Sequence, residues 1–124
     1  MRVLLVDDSS SNRLVLGSLL EDEGMEVAFA ESCAEARGLL AAASADAYDV
    51  VLLDLHLGDG LGTELVRTMR ERIPRAKIVM ISGSSAEGEL PDGAGLDATI
   101  EKGGDFSDLV ALMNRVVAGD AGDR

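Results

Sequence analysis

Apolar residues fall along this chain in short unbroken runs, separated by stretches of helical spacing. Val3-Leu4-Leu5-Val6, Val50-Val51-Leu52-Leu53 and Ile78-Val79-Met80-Ile81 show no polar alternation, the pattern of strands covered on both faces. Val27-Ala28-Phe29 and Ala98-Thr99-Ile100 are shorter and weaker runs of the same kind. Between them the spacing turns helical. Ser9, Ser10 and Ser11 supply capping hydroxyls for a helix carrying Leu16, Leu19 and Leu20, and Gly24 stops it. Ser32-Cys33-Ala34-Glu35 has the form of a capping box and opens a helix with Ala36, Leu39, Leu40 and Ala43. Gly58-Asp59-Gly60-Leu61-Gly62 reads as a glycine-rich loop into a third helix, where Leu61, Leu65, Met69 and Ile73 keep four-residue spacing up to Pro74. Residues 84–94 should hold a fourth helix, which Gly88, Pro91 and Gly93 weaken. Asp105 or Ser107 can cap a last helix with Leu109, Leu112, Met113, Val116 and Val117 on one face. The pattern predicts one domain over 1–118 and a tail or linker stub over 119–124.

Strand and helix alternate five times, which forces a parallel sheet with crossover helices on both faces. The predicted fold class is α/β, a doubly wound, flavodoxin-like sheet of five strands in the order 2-1-3-4-5. Ligands of such sheets bind at the carboxyl ends of the strands, beside the point where the strand order reverses. The first strand runs into Asp7-Asp8, the third into Asp54, the fourth into Ser82 and the fifth into Lys102, so these residues should converge.

Composition narrows what that edge can do. The net charge of −12 argues against direct binding of nucleic acid, which needs a basic face. No run approaches the roughly 20 apolar residues of a membrane span. Cys33 is the one cysteine and cannot form an internal disulfide, so a reducing, cytoplasmic setting is expected. Cys33 and Met25, Met69, Met80 and Met113 are expected to pack. In the crevice, each pair of carboxylates about 5 Å apart costs roughly 3 kcal/mol at an effective dielectric near 20. A bound cation offsets that cost, and an all-oxygen donor set with room for water suits Mg²⁺, with Mn²⁺ as an alternative. A cation, the Lys102 ammonium and the Ser82 hydroxyl would together equip the site for phosphoryl transfer, with Asp54 as the nucleophile.

Val3-Leu4-Leu5-Val6-Asp7-Asp8, Tyr48-Asp49-Val50-Val51-Leu52-Leu53-Asp54, Ile78-Val79-Met80-Ile81-Ser82-Gly83 and Lys102 together resemble the receiver domain of two-component response regulators. The resemblance covers essentially the whole chain. It implies that a sensor histidine kinase or a histidine phosphotransfer protein delivers a phosphoryl group to Asp54. It also implies that Asp7, Asp8 and Asp54, with the backbone carbonyl of His56, bind Mg²⁺. Ser82 and Lys102 would hold the phosphoryl oxygens. His56 and Ser84 occupy the two positions that tune dephosphorylation in the family. A downstream output domain or protein would read the change, and the domain would catalyse only its own phosphorylation and dephosphorylation.

Three departures stand out. Thr99 takes the place of an aromatic that usually swings inward on activation, Gly103 takes the place of a cis-proline after the lysine, and the fourth helix is eroded. A cis bond without proline costs about 2.5–4 kcal/mol, so a trans bond is expected at Lys102–Gly103. The readout is expected to work by ordering residues 84–95 rather than by flipping a ring. Two other functions compete. An aspartyl phosphohydrolase would carry an acid two residues after the nucleophile, where this chain has His56. An unphosphorylated receiver-like interaction domain would typically lack the acceptor, the acid pair or the lysine, all of which are present.

Overall fold

Strands without polar alternation need cover on both faces, and the helices between them provide it. The computed structural model describes residues 1–82 and 95–119. In chain order the elements are β1 (Arg2–Val6), α1 (Ser10–Asp22), β2 (Glu26–Ala30), α2 (Cys33–Ala42), β3 (Val50–Asp54), β4 (His56–Leu57) and β5 (Gly60–Leu61). A 3-10 turn, Gly62–Leu65, leads into α3 (Val66–Arg72), followed by β6 (Lys77–Ser82), β7 (Ala98–Glu101) and α4 (Phe106–Ala118). The main sheet is parallel throughout, in the order β2-β1-β3-β6-β7. This is the predicted order 2-1-3-4-5, because β6 and β7 are its fourth and fifth strands. The glycine-rich loop is more regular than expected, since β4 and β5 pair there as an antiparallel hairpin. The expected fourth helix, with Ser84, Gly88, Pro91 and Gly93, lies outside the described residues.

Side chains alternate across a strand, so each run of apolar residues feeds two cores. Leu4, Val6, Val51, Leu53, Ile78 and Met80 face α2 and α3, against Ala36, Leu40, Leu65, Met69 and Ile73. Val3, Leu5, Val50, Leu52 and Val79 face α1 and α4, against Leu20, Leu109, Met113 and Val116. Met25, Met69, Met80, Met113 and Cys33 are buried as expected. α1 keeps its predicted face at Leu20, which is buried, and Leu16, which packs against the core, but Leu19 is exposed, as are Leu14 and Val15 outside that face.

The helix starts follow local chemistry. Ser9 is the N-cap of α1, and its hydroxyl accepts the Asn12 amide at 3.2 Å. Ser32 caps α2 by accepting the Glu35 amide at 3.0 Å. The return bond of the expected capping box is displaced by one residue, since the Glu35 carboxylate accepts the amide of Glu31 at 2.7 Å. Asp105 stands at the N-cap of α4 without a side-chain bond to the helix.

β7 is the least buried strand of the sheet's second half, and a long-range clamp holds its start. The Asp97 carboxylate accepts the Ile78 amide at 2.7 Å and the Arg70 guanidinium at 2.8 Å. Arg70 also donates to the carbonyls of Ala76 and Gly95. Replacing Asp97 with Ala strands the Ile78 amide and leaves the guanidinium only its two carbonyl bonds. The expected loss is about 1–3 kcal/mol, read as a lower denaturant midpoint. An unchanged midpoint would show that the clamp contributes nothing to stability.

Candidate functional site

Asp7, Asp54 and Lys102 share one sheet parity. Asp7 follows Val3 and Leu5, Asp54 follows Val50 and Leu52, and Lys102 follows Ala98 and Ile100, all on the side of the sheet covered by α1 and α4. Where the strands end, the apolar columns of that side thus give way to charge. Carboxylate oxygens of Asp7, Asp8 and Asp54 lie within 4.8 Å of one another. Asp7 and Asp54 are buried, at 5 % and 3 % exposure, while Asp8 is open to solvent. The Lys102 ammonium donates to Asp54 Oδ2 at 3.0 Å. The Lys102 amide donates to the Ser82 carbonyl at 2.7 Å, so the ends of β6 and β7 stay joined beyond the paired residues. Five of the residues singled out from the sequence, Asp7, Asp8, Asp54, Ser82 and Lys102, therefore meet at one edge.

The others lie around it. His56 is exposed and pairs with Leu61 in the hairpin. Thr99 is exposed on β7 opposite Met80. The Lys102–Gly103 bond is trans, and Gly103 has φ of +86°, a left-handed conformation that favours glycine. Ser84 lies outside the described residues.

Several supporting residues escaped the sequence reading. Asp7 Oδ1 accepts the Ser9 amide at 2.9 Å, and the Arg13 guanidinium donates to the Asp7 carbonyl at 2.7 Å. Asn12 reaches Asp7 Oδ2 at 3.5 Å. Their only signal in the sequence is position, one turn into the helix that follows the acid pair. Gly62 has a sharper role than that of a flexible loop residue. A Cβ there would run into the carbonyl oxygen of Asp54 and stand 3.0 Å from Leu53 Cγ. Only glycine lets the hairpin return this close to the strand that carries Asp54. A cleft of ≈ 310 Å³ opens beside Asp7 and Lys102, with Leu16, Leu19, Ile81 and Phe106 in its walls.

Burial pushes the Asp54 carboxyl above the ordinary carboxylate range, Lys102 pulls it back, and the charges of Asp7 and Asp8 push it up again. Burial works against the Lys102 ammonium, but the bond to Asp54 and the three nearby carboxylates outweigh it and raise its pKa. With all four groups ionised, three carboxylates face one ammonium, a deficit of two positive charges. The donors are hard oxygens with one open side, which fits a divalent cation that keeps part of its water shell.

The raised Asp54 pKa has a consequence for stability. The folded state holds that proton more tightly than the unfolded chain does. The resulting stabilisation is complete below the unfolded pKa and is lost as pH rises through the folded one. At neutral pH the ionised carboxylate therefore weakens the fold. Asp54→Asn keeps an oxygen for Lys102 and removes that charge. It should raise the midpoint of metal-free thermal unfolding at pH 7 by a few degrees, corresponding to about 1 kcal/mol. The gain should shrink as pH falls through the raised folded pKa and be gone below the ordinary carboxylate range. A variant less stable than the parent at pH 7 would contradict this electrostatic picture.

The family model of the response regulator receiver domain matches residues 3–114. The alginate biosynthesis transcriptional regulatory protein AlgB of Pseudomonas putida is 39 % identical over 85 residues, covering 68 % of this chain and 18 % of AlgB. The photosynthetic apparatus regulatory protein RegA of Rhodovulum sulfidophilum is 34 % identical over 113 residues, covering 90 % of this chain and 60 % of RegA. Among solved structures, a CheY-like response regulator receiver domain protein from Methanospirillum hungatei superposes with a TM-score of 0.84 at 28 % identity, over 96 % of this chain and 94 % of that one. The chain thus spans less than two thirds of these curated relatives. The order of the strands, the acid cluster at their carboxyl ends and these matches agree: the chain belongs to the response regulator receiver domain family.

Proposed function

We propose that this domain accepts a phosphoryl group on Asp54, with Mg²⁺ bound beside it, from the phosphohistidine of a sensor kinase or phosphotransfer protein. The observation that carries this reading is the buried Asp54 carboxylate, flanked by two more carboxylates and bonded to Lys102 at 3.0 Å. In the step itself an Asp54 oxygen attacks phosphorus, the P–N bond of the donor breaks, and a P–O bond forms an acyl phosphate. The departing imidazole keeps the bonding electron pair and takes up a proton. Asp7, Asp8 and Asp54, with the His56 carbonyl, would hold the cation. Bound there, it would neutralise charge on the transferring group. Lys102 already leans on Asp54 and would shift its bond to a phosphoryl oxygen, with Ser82 donating its hydroxyl. Exposed Val15 and Leu19 of α1, beside Asp7 and Lys102 in the cleft, would give a protein donor an apolar landing. His56, exposed after the acceptor strand, would act with Ser84 to set how long the acyl phosphate lasts.

The response would pass to an output domain or protein, and the chain itself would catalyse only the making and breaking of its own acyl phosphate. We place the receiver unit at 1–118 and treat 119–124 as a tail or linker stub. No described helix is long and apolar enough to cross a membrane, and a cytoplasmic setting is part of this proposal.

Incubation with acetyl phosphate and Mg²⁺ should add the mass of one phosphoryl group to the intact protein. Asp54→Asn, or a chelator, should abolish the addition. An adduct that persists in Asp54→Asn would remove Asp54 from the role.

A further inference from the structure

Asp59 sits in the turn of the β4–β5 hairpin, yet its carboxylate is spent on a distant helix. Oδ1 accepts the Cys33 amide at 2.8 Å and Oδ2 accepts the Ala34 amide at 3.0 Å. Those amides belong to the first turn of α2 and have no partner within the helix. Bonds to these two amides hold the Asp59 carboxyl below the usual carboxylate range. The Cys33 thiol adds a weak bond to the Leu61 carbonyl at 3.8 Å. Ser32, the local cap, takes only the Glu35 amide, so Asp59 completes the cap from across the fold and thereby ties the hairpin to α2.

Next to Asp59 the hairpin comes close to the acid cluster. A Cβ on Gly58, next to Asp59, would lie 3.9 Å from Asp8 Oδ2. At the far end the Gly62 amide donates to the Leu55 carbonyl at 2.6 Å, against the Asp54 backbone. The hairpin therefore bridges α2 and the edge of the sheet. With two residues in each strand and three glycines between 58 and 62, it has little rigidity of its own. A carboxylate bonded to two amides is a strong external tie.

We propose that Asp59 is a positioning residue for the metal site. By fastening the hairpin to α2, it holds the backbone from His56 to Gly58 in place beside Asp8 and Asp54. Loss of the tie lets that segment drift and weakens cation binding, while Asp54 and Lys102, set by the sheet, keep their places. The inference rests on reading the acid cluster as a Mg²⁺ site.

Calorimetric titration of Mg²⁺ into the wild type and three variants, each also assayed for thermal unfolding, separates positioning from capping. Asp59→Ala should lower Mg²⁺ affinity by about 10-fold, the lower end of what losing an outer-shell partner costs. Asp59→Asn retains one acceptor oxygen and should lose less. Ser32→Ala removes the local cap of the same helix; it should melt earlier yet bind Mg²⁺ like the wild type. With Mg²⁺ saturating, Asp59→Ala should be phosphorylated by acetyl phosphate at the wild-type rate, so that the defect lies in affinity and not in the step. Wild-type affinity in Asp59→Ala, or an equal loss in Ser32→Ala, would overturn the proposal. A wild type that binds no Mg²⁺ would instead overturn the metal reading, and this inference with it.

Discussion

The rest of the structure depends on one electrostatic constraint: Asp54 is nearly sealed from water, yet two other carboxylates stand within 4.8 Å of it. A flexible chain would relieve this by turning the acids outward. The sheet prevents it. β3 is buried along its whole length between β1 and β6, so the direction of Asp54 is set by the alternation that packs Leu52 against the α1 and α4 side. Asp7 continues β1 with the same parity, and its backbone is pinned by its own amide bond to Ala30 and by the Arg13 guanidinium. What remains is compensation, and Lys102 provides part of it from a different strand. Hydrophobic burial thus sustains an arrangement of charge that the charges alone would not adopt.

Much of this was legible in the sequence because it depends on short-range pattern. Unbroken apolar runs gave the strands and therefore their carboxyl ends, which located Asp7, Asp8, Asp54, Ser82 and Lys102 together. Ser9 and Ser32 announced their helices through local capping chemistry. Apart from Asn12 and Arg13, which act locally on Asp7, the residues that escaped act across the chain. Asp97 and Arg70 are 27 positions apart, and Asp59 reaches an amide 26 positions away. Nothing in their neighbourhoods marks them, because an aspartate between two glycines reads as a turn whatever its carboxylate later touches. Apolar spacing also overstated the burial of α1, where Leu19 kept helical spacing and is still exposed. Periodicity names a face, but it cannot say how much of that face a neighbour covers.

Stability and chemistry oppose each other at this edge. Desolvation raises the free energy of ionised Asp54 and also makes the carboxylate responsive to whatever charge arrives. An acid left in open water would be cheaper and would sense less. The chain offsets the cost elsewhere, in two apolar cores that together cover both faces of the sheet. Local rules are broken where function needs it and kept everywhere around it.

A change in charge at Asp54 would be felt first at β7. β1, β3 and β6 each have a paired strand on both sides, whereas β7 pairs with β6 alone and is half exposed. Its start is fixed by Asp97 to Ile78 and Arg70, groups remote from the acids. Its end is held by the Lys102 amide on the Ser82 carbonyl and by the Lys102 ammonium on Asp54. Only the last of these depends on the state of Asp54. Elements with few buried contacts rearrange at the lowest cost, so a strand anchored firmly at one end and electrostatically at the other concentrates its response at the Lys102 end. Thr99, small and already exposed, has no buried ring to move. A change at Asp54 would therefore pass to Lys102 and the end of β7, and Thr99 offers no aromatic side chain to carry it.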